Sequence, residues 1–196
     1  MGKGRLEAFS DGVLAIIITI MVLELKVPHG NDLASLMPMY SAVASYALSF
    51  VYVGIYWNNH HHMFHATYRV NGAVLWANLH LLFWLSLIPL TTSWIGENHF
   101  SSTPMAVYGV NLLLCGGAFS LLQRAIIAEQ GAGSIVASAL GSDFKGKLSL
   151  VAYIAAIPLA FVSPWIAGGL YVGVALMWIV PDRRIERVLS GSATTT

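Results

Sequence analysis

The sequence predicts an all-α, polytopic membrane protein with six transmembrane helices per subunit. Composition is the first reason: of 196 residues, 57% are hydrophobic and 10% are charged, whereas a soluble domain averages about 25% charged. Mean hydropathy is +0.69. The second reason is that the charges cluster, leaving residues 33–68, 70–96, 98–123 and 148–181 without Asp, Glu, Lys or Arg. The third is a lopsided distribution of the cations that remain. This composition excludes disorder, a collagen-like rod and a disulfide scaffold, and so much apolar surface argues against a water-soluble enzyme. A net charge of +1 gives no reason to expect a nucleic-acid partner. The single Cys115 cannot form an internal disulfide.

Each element follows from the rule that a bilayer core about 30 Å thick needs about 20 apolar helical residues. Span one is read over 9–27, with Asp11, Glu24 and Lys26 at or near its ends. The first three charge-free stretches each hold one span. The last has 34 residues, too long for one span at about 1.5 Å per residue. Ser163-Pro164 near its middle marks a break, because Pro ends or starts helices, so spans five and six are read over 148–162 and 165–181. With the N-terminus in the cytoplasm, Lys3, Arg5, Arg69, Arg124, Lys145, Lys147, Arg183, Arg184 and Arg187 all lie inside and only Lys26 lies outside. Five spans would put the Arg183–Arg187 cluster outside, against the positive-inside rule. Both termini are therefore expected in the cytoplasm, in a cell membrane.

The organisation expected is a single six-helix domain over 1–189 and a polar, disordered tail over 190–196. Neither a myristoylation pattern nor a cleavable signal peptide is expected at the N-terminus. No Ser-His-Asp set, phosphate loop or dinucleotide glycine pattern appears, so no catalytic residues, cofactor or enzyme activity are expected.

Span one opens Arg5-Leu-Glu-Ala-Phe9-Ser10-Asp11-Gly12. An acid in a membrane segment is normally paired or functional. At about 100° per residue, Gly12, Ile16, Ile20, Leu23 and Val27 form one stripe with Thr19 at its edge, and Asp11 points away from it. Periodicity alone reads the stripe as ordinary helix packing and Asp11 as a buried structural anchor.

The Arg5-x-x-x-Phe9-Ser10-Asp11-Gly12 opening resembles the signature of the transmembrane protein 175 family of potassium channels. Trp57-Asn58-Asn59-His60 in span two resembles the family's Trp-x-x-His pattern, and Asn78-Leu79 with Pro89-Leu90-Thr91 its third-span pattern. The resemblance extends over about residues 5–92. It implies a potassium-permeable cation channel without a carbonyl filter loop. The pore would be lined by the first helix of each six-helix unit, and single-unit chains would assemble as homotetramers in the bilayer. It places the apolar constrictions on Ile16 and Leu23, with Ile20 also facing the pore, and the pore-side hydroxyl on Thr19. Arg5, Phe9, Ser10, Asp11, Gly12, Trp57, Asn58, His60 and Asn78 would then be structural or gating residues. His60 and Asn78 are the expected partners of Asp11. The permeant ion would be K+, preferred modestly over Na+ because it sheds water more readily.

Competing readings rest on other residues. His61 and His65, at i and i+4, have a spacing that can hold a metal, but no local Glu or Cys completes a site, and no metal is expected. A proton-sensing role for the His60–His65 cluster stays open. Glu24 is read as a solvated helix end, with an anionic vestibule as the sharper reading. The alternative function is a secondary cation transporter or proton-coupled antiporter, which usually shows inverted repeats; none is evident.

Overall fold

The computed structural model describes residues 2–131, 133–140 and 143–179. Among these every regular element is helical: α1 (Lys3–Leu23), a 3-10 segment (Leu33–Met39), α2 (Tyr40–His65), α3 (Gly72–Ser86), α4 (Ile88–Glu97), α5 (Ser102–Gln130), α6 (Ile135–Leu140), α7 (Phe144–Val162) and α8 (Pro164–Ile179). Lys3–Leu23, Leu33–His65, Gly72–Glu97, Ser102–Gln130 and Phe144–Val162 are long and apolar enough to cross a bilayer. The sixth apolar helix, α8, has 16 described residues, about 24 Å of rise. The Arg183–Arg187 cluster, the end of span six and the expected tail over 190–196 lie outside the described residues.

Several boundaries differ from the sequence reading, each for a local reason. α1 starts at Lys3 rather than near Phe9 and ends at Leu23, so Val27 is not on the helix and the stripe stops at Leu23. The amphipathic turn Lys3–Glu7 needs no apolar environment to be helical, and hydropathy does not detect it. Span three is two helices, because the Pro89 ring occupies the first turn of α4 and the ladder breaks at Leu87. α5 runs past Gln123 through Arg124 and Glu129 to Gln130. The break expected at Ser163-Pro164 is present, with Ser163 extended and Pro164 opening α8. Pro158 is accommodated inside a continuous α7.

Two buried clusters hold the bundle. One joins α1, α2, α3 and α5 through Leu14, Ile17, Phe64, Leu81, Leu85 and Leu122. The other joins α2, α5, α7 and α8 through Tyr52, Tyr108, Tyr153 and Tyr171 with Ala156, Ala160 and Ala167. Hydrocarbon outside the bundle is as apolar as the core, so close packing of small residues and internal hydrogen bonds must bring helices together. The α2–α4 seam shows this: Ser41 Oγ donates to the Gly96 carbonyl at 2.6 Å, and Thr92 Oγ1 donates to Ser49 Oγ at 2.7 Å. Ser41, Ser45 and Ser49 recur every fourth residue on the buried face of α2, a period the hydropathy reading passes over.

Close approach also explains Gly109, where a β-carbon would overlap the hydroxyl of Tyr171. That buried hydroxyl donates to the Met105 carbonyl at 3.0 Å. Gly117, on the same helix, has nothing within 4 Å of a β-carbon. Gly109→Ala should therefore lower unfolding free energy by about 1–3 kcal/mol. Gly117→Ala should leave it unchanged or raise it by up to about 1 kcal/mol. Unfolding of the two purified variants in detergent compares them directly; equal effects would rule out the close contact as the cause.

Candidate functional site

α1 has one face against the bundle and one face open. Leu6, Ser10, Leu14, Ile17 and Met21 are buried, a 4-4-3-4 spacing that traces one side of a helix. The opposite side carries Ile16, Ile20 and Leu23, which are 58%, 42% and 80% exposed. Gly12 and Thr19 are exposed beside them. Ile16 and Leu23 are seven residues apart, about 10 Å along the axis. The Thr19 hydroxyl donates to the Ile16 carbonyl at 2.9 Å. Its proton is thereby used within the helix, and its oxygen lone pairs are left to the open side. The residues that the resemblance assigns to a pore thus share one unburied surface of α1.

The rotation of that helix is fixed by a buried polar chain. Ser10 and Asn78 have no exposed surface, and His60 is 2% exposed. His60 Nε2 lies 2.8 Å from Asn78 Oδ1, Asn78 Nδ2 donates to Ser10 Oγ at 2.9 Å, and Ser10 Oγ donates to the Leu6 carbonyl at 2.9 Å. Because an amide oxygen only accepts, His60 must carry its proton on Nε2. Each of the three side chains then donates one hydrogen bond to the next group, running from α2 through α3 to α1. Phe64 packs on the His60 ring at 4.5 Å between centroids.

Asp11 is not part of that chain. Expected to be buried and to accept from His60 or Asn78, it is exposed and accepts from Trp57 Nε1 at 3.1 Å. One residue is about a 100° turn, so once Ser10 faces α3 the neighbouring carboxylate is carried to the flank of α2. Trp57 stacks on His61 and His61 on His65, each at 6.2 Å, which separates these two histidines from buried His60. Among the described residues no three His, Cys, Asp or Glu side chains come together as metal ligands. Of the other motif positions, Arg5, Phe9 and Asn58 are exposed, and Gly12 has nothing within 4 Å of a β-carbon. These four lie beside the polar chain rather than in it.

The other end of α1 is tied by charge. Lys26 Nζ donates to Glu97 Oε1 at 2.7 Å, linking the segment after α1 to the last residue of α4. Glu24 lies in the wall of an adjoining cavity of about 380 Å³ between α1, α2 and α4, together with Glu97 and His99. Reading the sequence did not pair Lys26 with Glu97, since 71 positions separate them. The hydrogen bond to Glu97, with its negative charge, holds the Lys26 ammonium above its ordinary value of 10.5.

The sequence profile described as endosomal/lysosomal potassium channel TMEM175 matches residues 5–89, which include the whole Ser10–Asn78–His60 chain. A potassium channel of Chryseobacterium sp. (strain P1-3) is 55% identical over 189 residues, covering 96% of this chain and 98% of that protein. A potassium channel of Streptomyces collinus is 35% identical over 128 residues, 61% of this chain and 62% of that protein. The crystal structure of a lysosomal potassium-selective channel TMEM175 homolog from Chamaesiphon minutus superposes with a TM-score of 0.81 at 26% identity, covering 92% of this chain and 97% of that one.

Two measurements test the site. Asn78→Ala leaves buried His60 and Ser10 without their shared partner and should lower unfolding free energy by about 1–3 kcal/mol. Trp57→Phe removes an exposed bond and should lower it by less than about 1 kcal/mol; the reverse order would show that Asp11, not Ser10, anchors α1. For Lys26, a raised pKa means the stabilisation is fully present below the unfolded value and is lost as pH rises through the folded one. The stability difference between wild type and Lys26→Met should accordingly stay flat from about pH 7 to 9 and shrink only above 10.5; a difference already lost at about pH 9 would exclude the ammonium as its source.

Proposed function

The chain belongs to the TMEM175 family, and from that premise we propose that it is a passive, potassium-permeable cation channel of a cell membrane. The observation that carries the proposal is the open face of α1, where Ile16, Ile20 and Leu23 stand exposed on one side of a helix whose other side is locked in the bundle. One helix cannot enclose water, but four copies around an axis can. A homotetramer with this face inward has rings of branched aliphatic side chains that gate by dewetting, and Thr19 supplies an oxygen between Ile16 and Leu23. No donor in these rings holds an ion tightly. The preference for K+ over Na+ is therefore modest and follows the cost of dehydration. On this reading α8 is the sixth span, Lys3 and Arg5 lie at the cytoplasmic end, and Lys26 and Glu97 lie at the outer end. The family is a channel family, and no enzyme chemistry is assigned to the chain.

The test is purified protein in liposomes holding K+ and Na+ gradients. A voltage-driven current should reverse between zero and the K+ equilibrium potential. Ile16→Asn should raise the flux and pull the reversal potential toward zero, because a polar ring wets the neck. Unchanged current and reversal potential on replacing Ile16 and Leu23 together would remove α1 from the pathway. Saturable, electroneutral exchange would instead make the protein a carrier.

A further inference from the structure

A hollow of about 440 Å³ lies between α2, the α4–α5 corner and α8, walled by Leu48, Ile95, Phe100, Met105, Trp165 and Val172. We infer that this groove is a binding site for one acyl chain of a phospholipid in the outer leaflet. It begins beside Pro164 at the start of α8 and reaches Val172, about 12 Å down the helix, so it sits at the depth of hydrocarbon. Its polar walls are already engaged. Tyr108 Oη is 2.9 Å from Ser49 Oγ, Tyr171 Oη donates to the Met105 carbonyl, and Ser45 Oγ donates to the Ala42 carbonyl. The wall as a whole is overwhelmingly apolar and offers entering water few partners, and an empty hollow would forfeit the dispersion contacts of its walls. A flexible hydrocarbon chain has what the space requires.

Two glycines make the space, and they do so differently. A β-carbon on Gly168 would lie 3.3 Å from the Met105 methyl, so this glycine lets α8 approach α5. Gly169 has nothing within 4 Å; it leaves the hollow open rather than closing a helix contact. Phe100 and Trp165, 5.5 Å apart, stand together at the upper end, where aromatic rings meet headgroups. His99 and Phe100 hold that corner with φ of 46° and 60°. Position argues against a second copy of the chain as occupant. α8 packs on α2, α5 and α7, whereas α1 packs on α2, α3 and α4, so α2 stands between the groove and the helix proposed to face the axis. The choice of leaflet and that last step rest on the proposed function; the groove and its chemistry do not.

The experiment uses the full chain, delipidated in detergent and titrated with dioleoylphosphatidylglycerol under native mass spectrometry. Wild type should retain a bound lipid, and Gly169→Leu, which fills the hollow, should weaken retention at least about tenfold. Val172→Trp, filling from the exposed rim, should do the same, so the result does not depend on one variant folding. Gly173→Leu, on the same helix but outside the groove and with nothing within 4 Å of its β-carbon, should retain lipid as wild type does. Equal retention by wild type, Gly169→Leu and Val172→Trp overturns the assignment. So does a changed subunit number in the filled variants, which would give the groove to another copy. Ion flux in liposomes is read separately: lipid retention without flux would sink the channel reading and leave the groove standing.

Discussion

The buried bond between Ser10 and Asn78 governs the rest, because it sets the rotation of α1. A transmembrane helix with apolar residues all round has little reason to prefer one rotation, since lipid and protein interior are equally apolar. A polar group changes that: left facing hydrocarbon, it loses its hydrogen bonds and the helix is penalised. Ser10 keeps its own proton on the Leu6 carbonyl, but the buried Asn78 amide donates to the Ser10 oxygen at 2.9 Å and His60 Nε2 to the Asn78 oxygen at 2.8 Å, so turning Ser10 away would strand them. With Ser10 so placed, the helical repeat leaves no freedom. Leu14, Ile17 and Met21 go inward with Ser10, and Ile16, Ile20 and Leu23 go outward. The apolar face that stays open is thus selected by polar residues it does not contain.

Asp11 illustrates the same constraint from the other side. It is the most conspicuous residue of the motif, yet it is one helical step from the buried position and meets only the edge of Trp57. A serine hydroxyl can be buried once its proton reaches a backbone carbonyl one turn back, whereas a buried carboxylate would need several donors. The C-terminal end of α1 is held by an exposed ion pair, Lys26 with Glu97, which water and salt screen. The helix is therefore anchored firmly near its N-terminus and loosely at its C-terminal end. Glu24 sits at that end in the wall of a cavity it shares with Glu97 and His99.

Fold class was legible because it depends on solvation: stretches with no charge belong in hydrocarbon whatever they touch. The break at Pro164 was legible because a proline ring is a local obstacle. The stripe on α1 was legible as a period. What each face of that period meets was not, and from the period alone the open stripe reads as packing. The Trp57–Asp11 pairing and the Lys26–Glu97 bridge depend on how helices far apart in sequence lie beside one another. The Ser41, Ser45 and Ser49 series was visible as a repeat of small polar residues, but hydropathy averages it away. Asn78 and His60 were expected to partner Asp11, whereas the buried chain they form reaches Ser10 instead, since neighbours ten and eleven differ by a direction that only packing determines.

The unbroken ladder of α1 has a consequence for the chemistry along its open face. From Lys3 to Leu23 the helix carries no proline and no break, so its interior backbone carbonyls are consumed by its own hydrogen bonds. Such a surface cannot offer an ion a ring of carbonyl oxygens. Between Ile16 and Leu23 the one side-chain oxygen is that of Thr19, whose hydroxyl already donates to the Ile16 carbonyl. In the proposed tetramer, an ion passing four such faces would keep part of its water, and discrimination between monovalent cations would come from how readily each gives up the remainder. A helix that is firmly locked, apolar and nearly free of ligands is suited to a neck that opens by wetting, and poorly suited to a site that captures an ion and passes it on.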